Sequence, residues 1–288
     1  MIRLYLLGKK GLECLKGLDP KFLPSISDIV IGQDKNIVED HAEELKELAE
    51  RQGIPFYLGK DAPENESVSL QFAIGWRWMI PSEKELVVFH DSLLPKYRGF
   101  NPLVSALING DSEIGATAFI ANDEFDKGAI VKQRKLSVDY PVKIKEAIDK
   151  IALLYVDMLN ELMADFQGPG LLSSEQNESL ASYSLWRDEE DYVINWSQSA
   201  KEIKRFIDAV GYPYKGAKTK VEGSWVRIYE ATVEEDLMIV NRVPGKLLFR
   251  QAEKVVIVCG QGLLGVDEFY DNSGEPTTIP NSFRLRFG

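Results

Sequence analysis

Leu86-Val-Val-Phe-His-Asp-Ser-Leu-Leu-Pro-Lys-Tyr-Arg-Gly99 is the stretch on which the reading of this chain turns. A short apolar run that ends in a titratable side chain and a turn-prone loop is where α/β proteins set their chemistry. Groups at the carboxyl ends of such strands line a crevice. His90 stands at that end, and the 288 residues hold only one other histidine, His41. Asp126 follows 36 residues later, in Phe125-Asp-Lys-Gly-Ala-Ile-Val131, where the chain again meets a glycine. A histidine and a carboxylate at two such junctions can meet over one crevice.

Imidazole titrates near neutrality, so His90 is suited to move a proton or, when protonated, to stabilise an oxyanion. Asp126 can orient the ring and stabilise its charged form by an ion pair. Ser92 lies two residues from His90, but no GxSxG elbow surrounds it, so a hydrolase triad is not indicated. Direct transfer to a substrate nucleophile fits better, since it needs only a positioned acid/base and an oxyanion site. The competing reading is structural, with His90 capping a strand end through a backbone bond.

Outward from this region, Ile2 to Leu7 reads as a strand, then Gly8-Lys-Lys-Gly11 leads to an apolar-periodic segment through Leu15. Those glycines do not form GxGxxG, so a dinucleotide site is not indicated. Further strands are predicted over 27–31, 70–74, 117–121 and 129–132, and helices over 36–52, 102–108 and 142–166. On the first helix Ile37, His41, Leu45 and Leu48 share one face, which makes His41 a packed helix residue. The stripe Ile144, Ile148, Ile151, Tyr155, Met158 and Leu162 is core packing at helical spacing. Gln167-Gly-Pro-Gly170 stops that helix, and Ser173 to Ser182 is polar and linker-like. Beyond it a helix begins at Asn195-Trp196-Ser197. Short alternating runs at 225–229, 237–240, 245–249, 254–259 and 263–269 then predict a small antiparallel barrel.

The bulk composition narrows the classes. The net charge of −11 disfavours a large nucleic-acid footprint, which needs a basic face. Cys14 and Cys259 lie far apart without a CxxC partner, which points to buried thiols in a reducing, cytoplasmic compartment. No run approaches the roughly 18 apolar residues of a membrane span. With two histidines and no Cys/His cluster, no metal site is expected.

The wider motif set is more specific. His90-Asp-Ser-Leu-Leu-Pro-Lys-Tyr-Arg-Gly99, Ile108-Asn-Gly-Asp111, Gly115-Ala-Thr117 and Asp126-Lys-Gly-Ala-Ile130 resemble the 10-formyltetrahydrofolate-dependent formyltransferases, in order and at the family's interval. Ser182-Tyr-Ser-Leu-Trp-Arg-Asp188, Ile194-Asn-Trp-Ser197, Tyr212-Pro-Tyr-Lys-Gly-Ala217, Gly245-Lys-Leu-Leu and Gly260-Gln-Gly-Leu-Leu-Gly265 look like the junction and second domain of the two-domain members. The resemblance implies a Rossmann-like α/β catalytic domain over 1–181 and an OB-like β-barrel domain with a leading helix over 182–288. It implies 10-formyltetrahydrofolate as co-substrate, and amine attack on the formyl carbon. His90 would stabilise or protonate the oxyanion, and Asp126 would assist proton movement. The pteridine would lie against Trp78, Met79 and Ile80 and the loop carrying Ala121, Asn122 and Asp123. Trp76 and Trp78 serve equally well as core residues.

One departure matters. Where the family carries Asn-x-His, this chain has Val88-Phe-His90, and Val88 offers no donor to the formyl oxygen. Loss of one such donor costs on the order of 10²–10³ in rate. Asn101 or Asn122 would have to take over, or the acceptor would have to manage without, or transfer is weakened or lost.

For the acceptor, residues 33–52 carry three basic against seven acidic residues, and 182–288 carry 14 against 16. Neither suits a tRNA cradle, so a methionyl-tRNA formyltransferase is the second choice, beside a folate-binding homologue without transfer. A small amine, a nucleotide-linked amino sugar, is favoured. Lys96, Tyr97, Arg98 and Asn101 are placed to meet it, with Arg98 open to a purely structural reading that ties the loop down. A homodimer is compatible with the acidic charge and the barrel, though no residue identifies an interface.

Overall fold

A parallel sheet covered on both faces reads as near-continuous apolar strands, and the first half of the chain is built that way. In a computed structural model describing residues 1–34, 39–60, 62–81, 83–251 and 254–288, the chain divides into two compact units. The first comprises residues 1–103, 112–138 and 146–186, and the second the remainder.

The first unit holds β1 (Ile2–Leu6), α1 (Gly8–Lys16), β2 (Ile26–Ile31), α2 (Ala42–Gln52), β3 (Phe56–Leu58), β4 (Leu70–Ile74), β5 (Glu85–His90) and β6 (Arg98–Gly99). Next in the chain come α3 (Pro102–Asn109), which runs across a boundary between the units, and β7 (Glu113–Ile120), β8 (Ile130–Ser137), α4 (Ile144–Gln167) and β9 (Tyr183–Ser184). The sheet order is β3-β2-β1-β4-β5-β7-β8. The first five strands are parallel, and β7 is antiparallel to both β5 and β8. Chain order reverses between β1 and β4, the position where doubly wound sheets open a crevice. Every residue of β1 and of β4 is buried.

The expected helix over 36–52 begins at Ala42 among the described residues, and Ile37 lies outside them. His41 is not in the helix. It takes the N-cap position with φ 56° and its ring pairs with Glu44, a local contact that helical periodicity does not show. The strand expected over 129–132 runs on through Ser137, because β8 pairs with β7 along its length. Residues 173–182 are not a free linker: Ser174 bridges to Ile130, and 182–184 pair with the loop after His90.

The second unit holds α5 (Ala200–Val210), β10 (Ala217–Val221), β11 (Ser224–Ile228), β12 (Thr232–Glu234), β13 (Leu247–Gln251), β14 (Lys254–Val258), β15 (Leu263–Val266), β16 (Phe269–Tyr270) and β17 (Pro276–Thr277). The helix starts at Ala200 rather than Asn195 because Ser199 and Glu202 form a capping box there. Two four-stranded antiparallel sheets follow, β10-β11-β16-β17 and β12-β15-β14-β13. Bridges from Phe287 to Val221 and from Arg286 to Lys246 tie residues 286–287 to both sheet regions. Trp196 and Phe269 pack on Phe287, with ring centroids 5.7 and 6.0 Å away. Residues 237–240 are not a strand: Met238 is 99% exposed and the neighbouring strand lies at β12. No helix among the described residues is long and apolar enough to cross a membrane.

Candidate active site

Leu86, Val88 and His90 alternate onto one face of β5, while Val87 and Phe89 are buried on the other. Register places Val30, Tyr5, Ala73 and Val88 side by side across β2, β1, β4 and β5. Trp76, Ile80, Leu86 and Val88 pack against this row. Trp76 meets Tyr5 edge-on at 5.1 Å and Trp78 at 5.0 Å. Gly32 makes room for the indoles, since a Cβ there would sit 2.8 Å from both Trp76 and Trp78. Trp76 Nε1 is buried with no hydrogen-bond partner. The wall at the crevice end is thus apolar and aromatic, with one indole N–H unused. Val88 belongs to that wall.

His90 is nearly buried, and both ring nitrogens face named groups. Its Nε2 lies 2.8 Å from the Tyr97 carbonyl oxygen, and its Nδ1 lies 3.7 Å from Asp126 Oδ2. A carbonyl only accepts, so Nε2 donates, and the neutral ring carries its proton there. Asp126 Oδ2 accepts the Gly99 N–H at 2.7 Å. Six described non-glycine residues have left-handed φ, and Tyr97, Asn101 and Asp126 are three of them. Such conformations cluster where the surroundings over-determine a site. Gly128, two residues past Asp126, is obligatory, because a Cβ would fall 1.6 Å from the Ile120 carbonyl oxygen.

The loop after His90 is held from beneath. Thr117 donates its hydroxyl to the Ser92 carbonyl at 2.6 Å and accepts the Leu94 N–H, while Gln133 donates to Thr117 and to the Leu94 carbonyl. Asp91 pairs with Lys10 and accepts the Tyr155 hydroxyl at 2.5 Å. Burial works to raise the Asp91 carboxyl, but the Lys10 ammonium and the Tyr155 hydroxyl outweigh it and hold it below its ordinary range. Burial, then the Asp91 charge beside it, pushes the Tyr155 phenol up.

The structure brings His90, Asp126, Tyr97 and Arg98 together, and leaves other expected site residues at the rim. Met79 is 77% exposed, Trp78 and Ile80 are half-buried, and Ala121 donates its N–H to the Leu86 carbonyl. Asn122 and Asp123 are exposed, and the Asn122 side chain caps the Glu124 N–H. Lys96 is exposed and Asn101 is half-buried. Arg98 is buried, and its guanidinium is spent on Gln176 and Glu178. That geometry supports the structural reading of Arg98 over contact with a substrate. Thr117, Gln133, Gln176 and Ser182 had no role in the sequence reading. Thr117 and Ser182 lay within motifs, while Gln133 and Gln176 did not. Among the described residues no group of three or more His, Cys, Asp and Glu side chains stands ready for a metal ion.

Known proteins give this arrangement its class. A formyl transferase family model matches residues 79–158, and the model of the formyl transferase C-terminal domain matches residues 187–285. Together they take in well over half of the sequence, and the chain belongs to the formyltransferase family. A methionyl-tRNA formyltransferase from Geobacter metallireducens is 28% identical over 179 residues, 62% of this chain but only 56% of that protein's length. An N-formyltransferase from Helicobacter canadensis, solved with folinic acid and dTDP-3-aminofucose, shares the fold at TM-score 0.69 and 15% identity, over 93% of this chain and 99% of that one. HypX from Aquifex aeolicus shares it at TM-score 0.65 and 20% identity, over 97% of this chain and 47% of that one.

Proposed function

We propose that this protein transfers a formyl group from 10-formyltetrahydrofolate to the primary amine of a small acceptor, a nucleotide-linked amino sugar, in the cytoplasm. The observation that carries the reading is the His90 ring, set between the Tyr97 carbonyl and the Asp126 carboxylate at the crevice end of β5. The catalytic domain of this reading is residues 1–181, and residues 182–288 form the second domain.

The crevice wall fits a flat heterocycle, because it is apolar and aromatic. Trp78, Met79 and Ile80 with the loop Ala121, Asn122 and Asp123 would hold the folate, which supplies an activated formyl group when bound. The Tyr97 carbonyl keeps the proton of neutral His90 on Nε2 and leaves Nδ1 as the basic nitrogen. Nδ1 therefore takes the proton of the attacking amine, and Asp126 stabilises the imidazolium that results. The ring would then return that proton to the folate nitrogen as its bond to the formyl carbon breaks and tetrahydrofolate leaves, and the donor to the formyl oxygen that Val88 cannot give would come from Asn101 or Asn122. Lys96, Tyr97 and Asn101 would meet the acceptor.

A methionyl-tRNA acceptor is the second reading, favoured by the name of the Geobacter relative and opposed by the net charge of −11. The test is turnover of 10-formyltetrahydrofolate with a panel of nucleotide-linked amino sugars and with charged initiator tRNA, product followed by mass. A formylated sugar nucleotide, lost in His90→Ala by about 10²–10⁴ in rate, is the expected result. Formylation of tRNA alone would overturn the acceptor, and bound folate without any product would point to a binding protein.

A further inference from the structure

Residues 174–184 lie against both loops of the candidate site, within the first compact unit. Gln176 spends its whole side-chain amide there. Its Nε2 donates to the Asp126 carbonyl at 2.7 Å and to the Gly128 carbonyl at 2.8 Å, and its Oε1 accepts from Arg98 Nη2 at 2.8 Å and Nε at 3.1 Å. The far side of the Arg98 guanidinium is taken by Glu178, at 2.6 and 2.9 Å. Further along, Ser182 accepts the Tyr97 N–H on its hydroxyl at 2.9 Å and the Arg98 N–H on its carbonyl at 2.8 Å. Ser184 accepts the Phe100 N–H on its carbonyl at 3.0 Å and donates its hydroxyl to the Tyr97 carbonyl at 3.3 Å.

The two ends of this strap therefore hold the two partners of His90. One end fixes the backbone of Asp126, whose carboxylate faces Nδ1. The other fixes Tyr97, whose carbonyl takes the proton on Nε2. Asp126 and Tyr97 both have left-handed φ, a conformation that persists only where neighbours enforce it. We propose that Gln176 is a positioning residue for this reaction, holding Asp126 at its distance from His90 while tying that loop, through Arg98, to the loop that carries Tyr97. The proposal rests on the transferase reading of the same site.

The test uses the full chain with Gln176→Ala and Gln176→Glu, each alone and combined with Asp126→Asn. Gln176→Glu keeps an acceptor for Arg98 but turns a carboxylate oxygen toward the two carbonyls, so it breaks and repels the contact to the Asp126 loop while preserving the tie to Arg98. With 10-formyltetrahydrofolate and the acceptor found in the panel, both single variants should lose about 10- to 100-fold in kcat, the scale of a small misplacement, with KM for the folate nearly unchanged. If Gln176 acts through Asp126, it adds little to the loss already caused by Asp126→Asn. An equal loss in both backgrounds would overturn the proposal. A second readout does not depend on turnover. The chain has two histidines, so ring ¹⁵N resonances assign directly, with His41→Gln as the control. Gln176→Glu should move the His90 nitrogens and leave those of His41 in place. Unmoved His90 nitrogens in a folded variant would also overturn it. If the wild type formylates nothing, the functional reading fails while the nitrogen shifts still decide the strap's role.

Discussion

Lys10, in the first turn of α1, pairs with Asp91, the residue next after His90, and Tyr155 of α4 completes the carboxylate's shell from the other side. Three separate elements thus meet at the end of β5 that carries His90. Lys10→Met should leave that carboxylate uncompensated and destabilise the protein by about 1–3 kcal/mol in urea unfolding. Tyr155→Phe keeps the ring packed on Phe89, 4.9 Å away, and should cost about 1 kcal/mol. Equal stability in Lys10→Met would show that water satisfies Asp91.

Gly32→Ala tests the aromatic wall. Its new Cβ would meet both Trp76 and Trp78 at 2.8 Å, so one indole must move. Overpacking of this kind costs about 1–3 kcal/mol, and tryptophan emission should change with it. Folate affinity should fall several-fold, measured by calorimetry. Unchanged affinity would remove this wall from the proposed folate site.

Val88→Asn tests the missing donor. The amide would replace a methyl pair packed against the apolar row, so some loss of thermal stability is expected. Turnover should nevertheless rise by about tenfold, part of the 10²–10³ such a donor supplies elsewhere. No gain would mean that the donor already comes from another group in the crevice.

Glu189 offers a pH signature in the second unit. Its carboxylate accepts from Lys215 at 2.9 Å and Arg227 at 2.8 Å and also faces Lys218, and the Lys215 bond foremost, with Arg227 beside it, pulls its pKa down to about 2 against some burial. Its folded pKa lies below the unfolded value of about 4.3, so its contribution is complete above that value and fades as pH falls toward 2. Glu189→Gln should therefore melt below wild type at pH 7, and the gap should close between about pH 4.5 and 2. A gap that stays constant across that range would rule out the linkage.

Much of the fold was legible because it rests on pattern. Buried parallel strands such as Leu70–Ile74 show as apolar runs, and the stripe through Tyr155 and Met158 shows as helical spacing. His90 and Asp126 were legible because their residue types are rare or apt at strand ends. The motif around Arg98 drew attention to that residue but not to its burial, since nothing local says that Gln176 and Glu178 will arrive to occupy it. Gln176 itself sits in a polar stretch without periodicity, and its work is done on backbone carbonyls, which no side-chain pattern encodes. Residues 237–240 misled for the opposite reason: apolar alternation there belongs to an exposed loop.

The strap between Ser174 and Ser184 also carries a consequence for the order of assembly. His90 and Asp126 are both made by the time residue 130 is added, and β5, β7 and β8, the strands that flank them, are complete by residue 137. Tyr97 and Arg98 have no strap to pair with until some 50 further residues have been synthesised, after α4. A nascent chain therefore carries His90 and Asp126 well before it has the contacts that hold their loops. The contacts that position these loops are among the last of the first unit to become possible.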